Sequence, residues 1–161
     1  MSSIISYILL VISNGATIKN LGYTNVNLGS KFEWNFTLIK SLKKGDSIKF
    51  NFPKGFSFKS PACFHKNSGS YAESETLFDN RMVICKNFAF PMEAGVPQTV
   101  TIIGVLNPDH SGFYRGFSLE TMEDTFPNIY EAINVLPPLK IDTGAIDIEL
   151  TSESLLRYVN T

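Results

Sequence analysis

Polar and apolar residues alternate most cleanly in Lys31-Phe32-Glu33-Trp34-Asn35-Phe36-Thr37-Leu38 and in Asp46-Ser47-Ile48-Lys49-Phe50-Asn51-Phe52. A period of two is that of a strand with one buried and one wet face, and the turn-like Lys43-Lys44-Gly45 between the runs predicts that they pair as an antiparallel hairpin. Further apolar runs fall at 4–12, 16–28, 81–86, 98–106, 113–121 and 145–151. Turn chemistry separates them, as in Ser13-Asn14-Gly15, Pro53-Lys54-Gly55, Glu93-Ala94-Gly95 and Asn107-Pro108-Asp109-His110-Ser111-Gly112.

Short strands with regular punctuation predict an all-β fold, an antiparallel sandwich of two sheets with about seven to nine strands. Its expected core is Trp34, Phe36, Ile48, Phe50, Phe52, Val100, Ile102, Phe117, Leu119, Ile146, Ile148 and Leu150. Residues 64–80 are polar and read as a long surface loop. Residues 123–144 carry Pro127, Pro137 and Pro138 and read as an irregular connection or an edge segment, because proline cannot donate to a central ladder. The tail 152–159 is too short for periodicity to separate helix from strand.

Composition supports strands over helices: aromatic residues make up 12 % of the chain, thirteen of them Phe. At 161 residues the chain fits one domain, here 14–161, preceded by an apolar N-terminal strand at 1–13. A core of this size folds without a cofactor. Fourteen basic and fifteen acidic residues are scattered along the chain, which argues against a nucleic-acid partner.

Cys63 and Cys85 are the only cysteines. An even count suits one disulfide closing the intervening loop; two unrelated buried thiols are the alternative. His65 and His110 both fall in expected loops. A Cys63–His65 nucleophile pair would need a free thiol, so a bridge removes that chemistry, and we expect no enzyme activity. Cys63-Phe64-His65 supplies too few ligands for zinc. The acidic residues Asp46, Asp79, Asp109, Glu123, Asp124 and Asp142 match no calcium loop, so no metal is expected. Asn35-Phe36-Thr37 fits the N-glycosylation rule with Asn35 on the wet face, although a chain with this Asn, Ser and Thr content yields about two such triplets by chance. Tyr71, Phe78, Tyr114 and Tyr130 are candidate platforms for stacking on sugar rings.

The first segment carries Ile4, Ile5, Tyr7, Ile8, Leu9, Leu10, Val11 and Ile12. It is too short to span a membrane, so no transmembrane segment is expected, and it lacks the basic start and small-residue cleavage site of a signal peptide. Two readings remain. It is either an ordinary first strand or a donor strand that completes the open sheet of a neighbouring copy, a head-to-tail exchange that builds filaments.

The stretch Leu42 to Phe58, with Gly45-Asp46 opening a strand and Pro53 closing it, resembles the hairpin of immunoglobulin-like modules in microbial and protist cell-surface adhesins and extracellular filaments. Val105-Leu106-Asn107-Pro108 followed by Phe117-Ser118-Leu119-Glu120-Thr121 is similar to the late strands of secreted ciliate sandwich repeats. The resemblance implies an extracellular or cell-surface structural or adhesive role with an intradomain disulfide. The expected function is thus a subunit of an extracellular filament or surface coat, partnered by copies of itself. The alternative is a monomeric adhesion or carbohydrate-binding module that takes glycans or cell-surface proteins.

Overall fold

A computed structural model describes residues 15–77, 81–124 and 128–144. These residues form eleven strands and no helix: β1 (Thr17–Asn20), β2 (Gly29–Thr37), β3 (Ser47–Asn51), β4 (Ser57–His65), β5 (Ser70–Leu77), β6 (Met82–Lys86), β7 (Pro97–Leu106), β8 (Gly112–Tyr114), β9 (Ser118–Met122), β10 (Ile129–Asn134) and β11 (Leu139–Ile141). Nine strands make one antiparallel sheet in the order β1-β2-β7-β4-β5-β6-β3-β9-β10, and β8 pairs with β11 in a small second sheet.

The large sheet is curled back on itself, and β5 makes the fold line. Its residues 70–72 pair with β4, whereas 73–77 pair with β6, so one strand passes from one half of the sheet to the other. The disulfide Cys63–Cys85 spans this line from β4 to β6. Two strand spacings in a flat sheet would hold those strands about 9.5 Å apart. Their Cα atoms lie 6.0 Å apart, which requires the sharp bend. At the other side the sheet's two end strands come together through a parallel bridge, Ala16 to Val135.

The alternating runs are strands as expected, but they do not pair with each other. β2 lies between β1 and β7, and β3 lies between β6 and β9. The segment 38–46 carries the chain across the core, so that the apolar faces of β2 and β3 oppose one another: the rings of Trp34 and Phe50 meet at 5.0 Å, edge to face. Phe32, Trp34, Phe36, Ile48, Phe50, Phe52, Val100, Ile102, Phe117 and Leu119 are all buried. Ile146, Ile148 and Leu150 of the expected core lie outside the described residues, as do the run 145–151, the tail and the segment 1–13.

Other expectations change in ways that have a local cause. The region read as a surface loop, 64–80, begins with a hairpin: β4 and β5 turn at 66–69, where Gly69 N donates to His65 O at 2.9 Å. Tyr71, Glu73 and Glu75 alternate along the exposed side of β5, and its polar composition reads as a loop when the pairing is not known. The run 113–121 is two strands, β8 and β9, interrupted at Gly116, whose φ of +97° breaks the ladder. Within 16–28 only β1 is a strand of the large sheet. In 123–144, β10 is an edge strand, and Pro137 and Pro138 fall between it and β11.

One irregularity is built into the middle of the sheet. Residues 59–61 of β4 bulge opposite Gly104 of β7, with Ser60 at φ +49°. Gly104 has φ +80°, and a Cβ there would stand 2.6 Å from Lys59 O. The left-handed conformation alone costs a residue with a side chain about 1–2 kcal/mol, and the backbone carbonyl cannot swing away. Gly104→Ala is therefore expected to lower stability by more than about 2 kcal/mol, measured by urea denaturation; a change under about 0.5 kcal/mol would show that the bulge relaxes.

Candidate functional site

The features that could carry function gather at one end, where the segments 38–46, 66–69 and 87–96 meet. Segments 38–46 and 87–96 are laced together: Leu42 N donates to Met92 O, Gly95 N to Leu38 O, and Ala94 N to Ser41 Oγ, all within 2.8–2.9 Å. From the neighbouring β10, the Glu131 carboxylate accepts from Ile39 N at 3.0 Å and Lys40 N at 3.1 Å. Lys40 in turn places its ammonium 3.8 Å above the ring of Tyr130. Lost hydration and the charges of Asp46 and Glu123 raise the Tyr130 phenol above its ordinary pKa.

With their backbones tied down, these segments present apolar side chains to solvent. Ile39 is 49 %, Phe90 64 % and Val96 41 % exposed. Between 66–69 and 87–96 lies a cleft of about 280 Å³. Phe90, Pro91 and Val96 make its apolar side; His65, Ser68 and Gln98 make its polar side, and Asn67 and Glu93 also line it.

His65 is the last residue of β4, not a loop residue, and is 2 % exposed. Its Nε2 lies 2.8 Å from Gln98 Oε1 and its Nδ1 lies 2.9 Å from Ser68 Oγ. An amide oxygen accepts, so Nε2 donates to Gln98, while Nδ1 is paired with the Ser68 hydroxyl. The ring is thereby spent on holding the turn and Gln98. Asn67 is likewise used up, donating to Pro97 O and accepting from Thr99 N, each at 2.9 Å.

The second feature is an open strand edge. Among the described residues β10 has β9 on one side and no strand along the other. Ala16, just before β1, bridges in parallel to Val135, just after β10. The residues expected to form an assembly strand, Ile4, Ile5, Tyr7, Ile8, Leu9, Leu10, Val11 and Ile12, lie outside the described residues.

The remaining candidates are dispersed or occupied. Cys63 and Cys85 are joined as a disulfide, so Cys63 offers no nucleophile to His65. His110 is exposed at the opposite end, where its Nδ1 lies 2.6 Å from Asp109, and that hydrogen bond and charge hold the Asp109 carboxyl below its ordinary pKa. Asp46 accepts from Lys43 N and Asp124 N, beside Glu123, whereas Asp142 accepts from the hydroxyl of Thr24 and pairs with Lys140. No group of three His, Cys, Asp or Glu among the described residues could hold a metal ion. Asp79 and Phe78 lie outside them.

Asn35 is half-buried in β2, where its Oδ1 accepts from Thr99 Oγ1 and its Nδ2 donates to Glu33. Among the described residues the candidate aromatics Tyr71, Tyr114 and Tyr130 stand apart from one another. Tyr71 stands exposed on β5 against Phe64, Tyr114 packs edge-on to Phe56 near the other end, and Tyr130 lies under Lys40. Phe90 and Gln98 had no role in the sequence reading. The dipeptide Phe90-Pro91 in a stretch bounded by turn signals was the one available hint, since a large apolar side chain in a loop has no strand face to bury it.

The geometry defines an all-β protein built on one curled antiparallel sheet, locked by a disulfide at its fold line. No family model and no curated protein sequence matches the chain. Among solved structures it is similar to the crystal structure of BslA, a bacterial hydrophobin, with a TM-score of 0.51 and 14 % sequence identity over 81 % of this chain and 98 % of that one. At that identity the likeness concerns the fold. Among the described residues no helix is long and apolar enough to cross a membrane.

Proposed function

We propose that this chain is a non-enzymatic structural subunit of an extracellular filament or surface coat, assembled by β-strand complementation between copies. The observation that carries this reading is the open edge of β10, beside which Ala16 bridges to Val135. An unpaired edge offers a row of backbone donors and acceptors to any extended segment, and an apolar strand such as 4–12 gains both those bonds and burial by docking there. Donation from each copy to the next does not close, which gives a polymer.

Three further points support the reading. The Cys63–Cys85 disulfide suits an oxidising compartment outside the cell. The strand that switches between halves of the sheet suits an immunoglobulin-like arrangement with two facing layers. Ile39, Phe90 and Val96, exposed together at one end, suit a protein that meets apolar surfaces, and the similar BslA carries the name hydrophobin.

The test is electron microscopy with size-exclusion chromatography of the full chain and of a chain lacking residues 1–13, both under oxidising conditions. The full chain is expected to assemble and the truncated chain to run as a folded monomer. Undiminished assembly of the truncated chain would overturn strand donation. A monomeric full chain would favour the adhesion or carbohydrate-binding alternative, for which the cleft is the site.

A further inference from the structure

We infer that the cleft beside Phe90 binds a saccharide ring, with Phe90 as the stacking platform and the side-chain amide of Gln98 as the polar anchor. This goes beyond the assembly reading and does not depend on it, since no residue of the cleft belongs to β10 or to the segment 1–13.

The chemistry of the two sides selects the ligand. Phe90, Pro91 and Val96 offer an apolar wall, and Phe90 keeps most of its surface in solvent although its backbone segment is fastened to 38–46. Facing solvent in a tied-down loop, the ring gains nothing for folding, and it is free to take the C–H face of a ligand. Gln98 borders the cleft while only 4 % exposed. Its Oε1 is engaged by His65, and its Nε2, which is not among the buried atoms left without a partner, faces the solvent of the cleft. That donor is free for a ligand that displaces the water on it.

His65 is what holds that amide in place. The ring is clamped between Ser68 and Gln98 and meets Phe88 edge-on at 5.5 Å, so the amide is oriented before any ligand arrives. An apolar peptide side chain would cover Phe90 and leave Gln98 Nε2 desolvated and unpaired. A saccharide ring satisfies both: one face stacks on the aromatic ring, and a hydroxyl accepts from the amide. Glu93, which also lines the cleft, can accept from a second hydroxyl. The volume of about 280 Å³ lies near the lower bound of small-molecule sites, about 300 Å³, and suits a ring or two of a longer glycan.

The test uses the full chain with two soluble probes, cellohexaose and chitohexaose, followed by isothermal titration calorimetry and saturation-transfer-difference NMR. At least one probe is expected to bind. Phe90→Ala, an exposed loop change that leaves folding intact, is expected to weaken it about tenfold or more. Gln98→Glu keeps an oxygen for His65 but removes the free donor, and is expected to weaken binding about fivefold or more, with thermal unfolding confirming a folded protein. Tyr71→Ala, on β5 outside the cleft, is expected to leave affinity unchanged. Absence of binding by both probes at about 10 mM would overturn the inference, as would affinity insensitive to Phe90→Ala or lost with Tyr71→Ala.

Discussion

Replacing Cys63 and Cys85 together by alanine is expected to lower the stability of the fold by about 3 kcal/mol. The sequence separation of 22 residues sets the chain-entropy part of that loss, because opening the bridge frees the unfolded chain far more than the folded one. Both cysteines are fully buried, so alanine also leaves small voids at the fold line. At that line β5 exchanges one partner strand for another, and only residues 70–72 pair it with β4. The bridge thus ties the two halves of the sheet where backbone pairing is thinnest. Urea denaturation of the double variant against the oxidised wild type reads the loss directly, and wild type with reductant should move the same way. A difference under about 1 kcal/mol would mean that strand pairing alone holds the fold line.

Phe52→Ala is expected to cost more, about 3–5 kcal/mol. Phe52 is the hub of the aromatic core: its ring meets Phe58 at 4.8 Å, Trp34 and Phe117 at 5.6 Å, and Phe32 and Phe56 at 5.8 Å. Most of these contacts are edge-to-face, the arrangement that adds to simple burial. Five large rings around one position cannot collapse into the gap without moving strands from both halves of the sheet, so a cavity persists. Domains of this kind are stable by about 5–15 kcal/mol in all, and the variant should therefore show a lowered denaturation midpoint and a loss of near-ultraviolet aromatic signal. Phe90→Ala, a ring of the same size in solvent, is expected to change stability by under about 0.5 kcal/mol. Equal losses at the two positions would refute the assignment of Phe52 to the core and Phe90 to a surface role.

The strand runs, and the side of each that is buried, were legible because alternation depends only on neighbours along the chain. Trp34, Phe36, Ile48, Phe50 and Phe52 follow from it without knowledge of the fold. Partners were not legible. The same alternation fits β2 and β3 as a hairpin or as opposite walls of one core, and the choice lies in the path of 38–46, which is fixed by bonds to Met92, Ala94, Gly95 and Glu131 far along the chain. The hairpin of β4 and β5 was missed because the serines and glutamates of β5 have the composition of a loop.

The cleft shows the same division. His65 and the cysteine count were visible in the sequence, but Gln98 is an unremarkable member of the run 98–106, and Phe90 sits among turn residues. They become a site only because β4 and β7 are neighbours, with His65 opposite Val100 in register and Gln98 two residues before it. By itself, then, the sequence determined the all-β class, the inward face of β2, β3, β7 and β9 and a pair of cysteines able to bridge, since these rest on local periodicity and on counts. Tertiary structure alone decided which strands pair, where the sheet folds over, which edge is open and which side chains share a cleft, because each depends on hydrogen bonds and packing between residues distant in sequence.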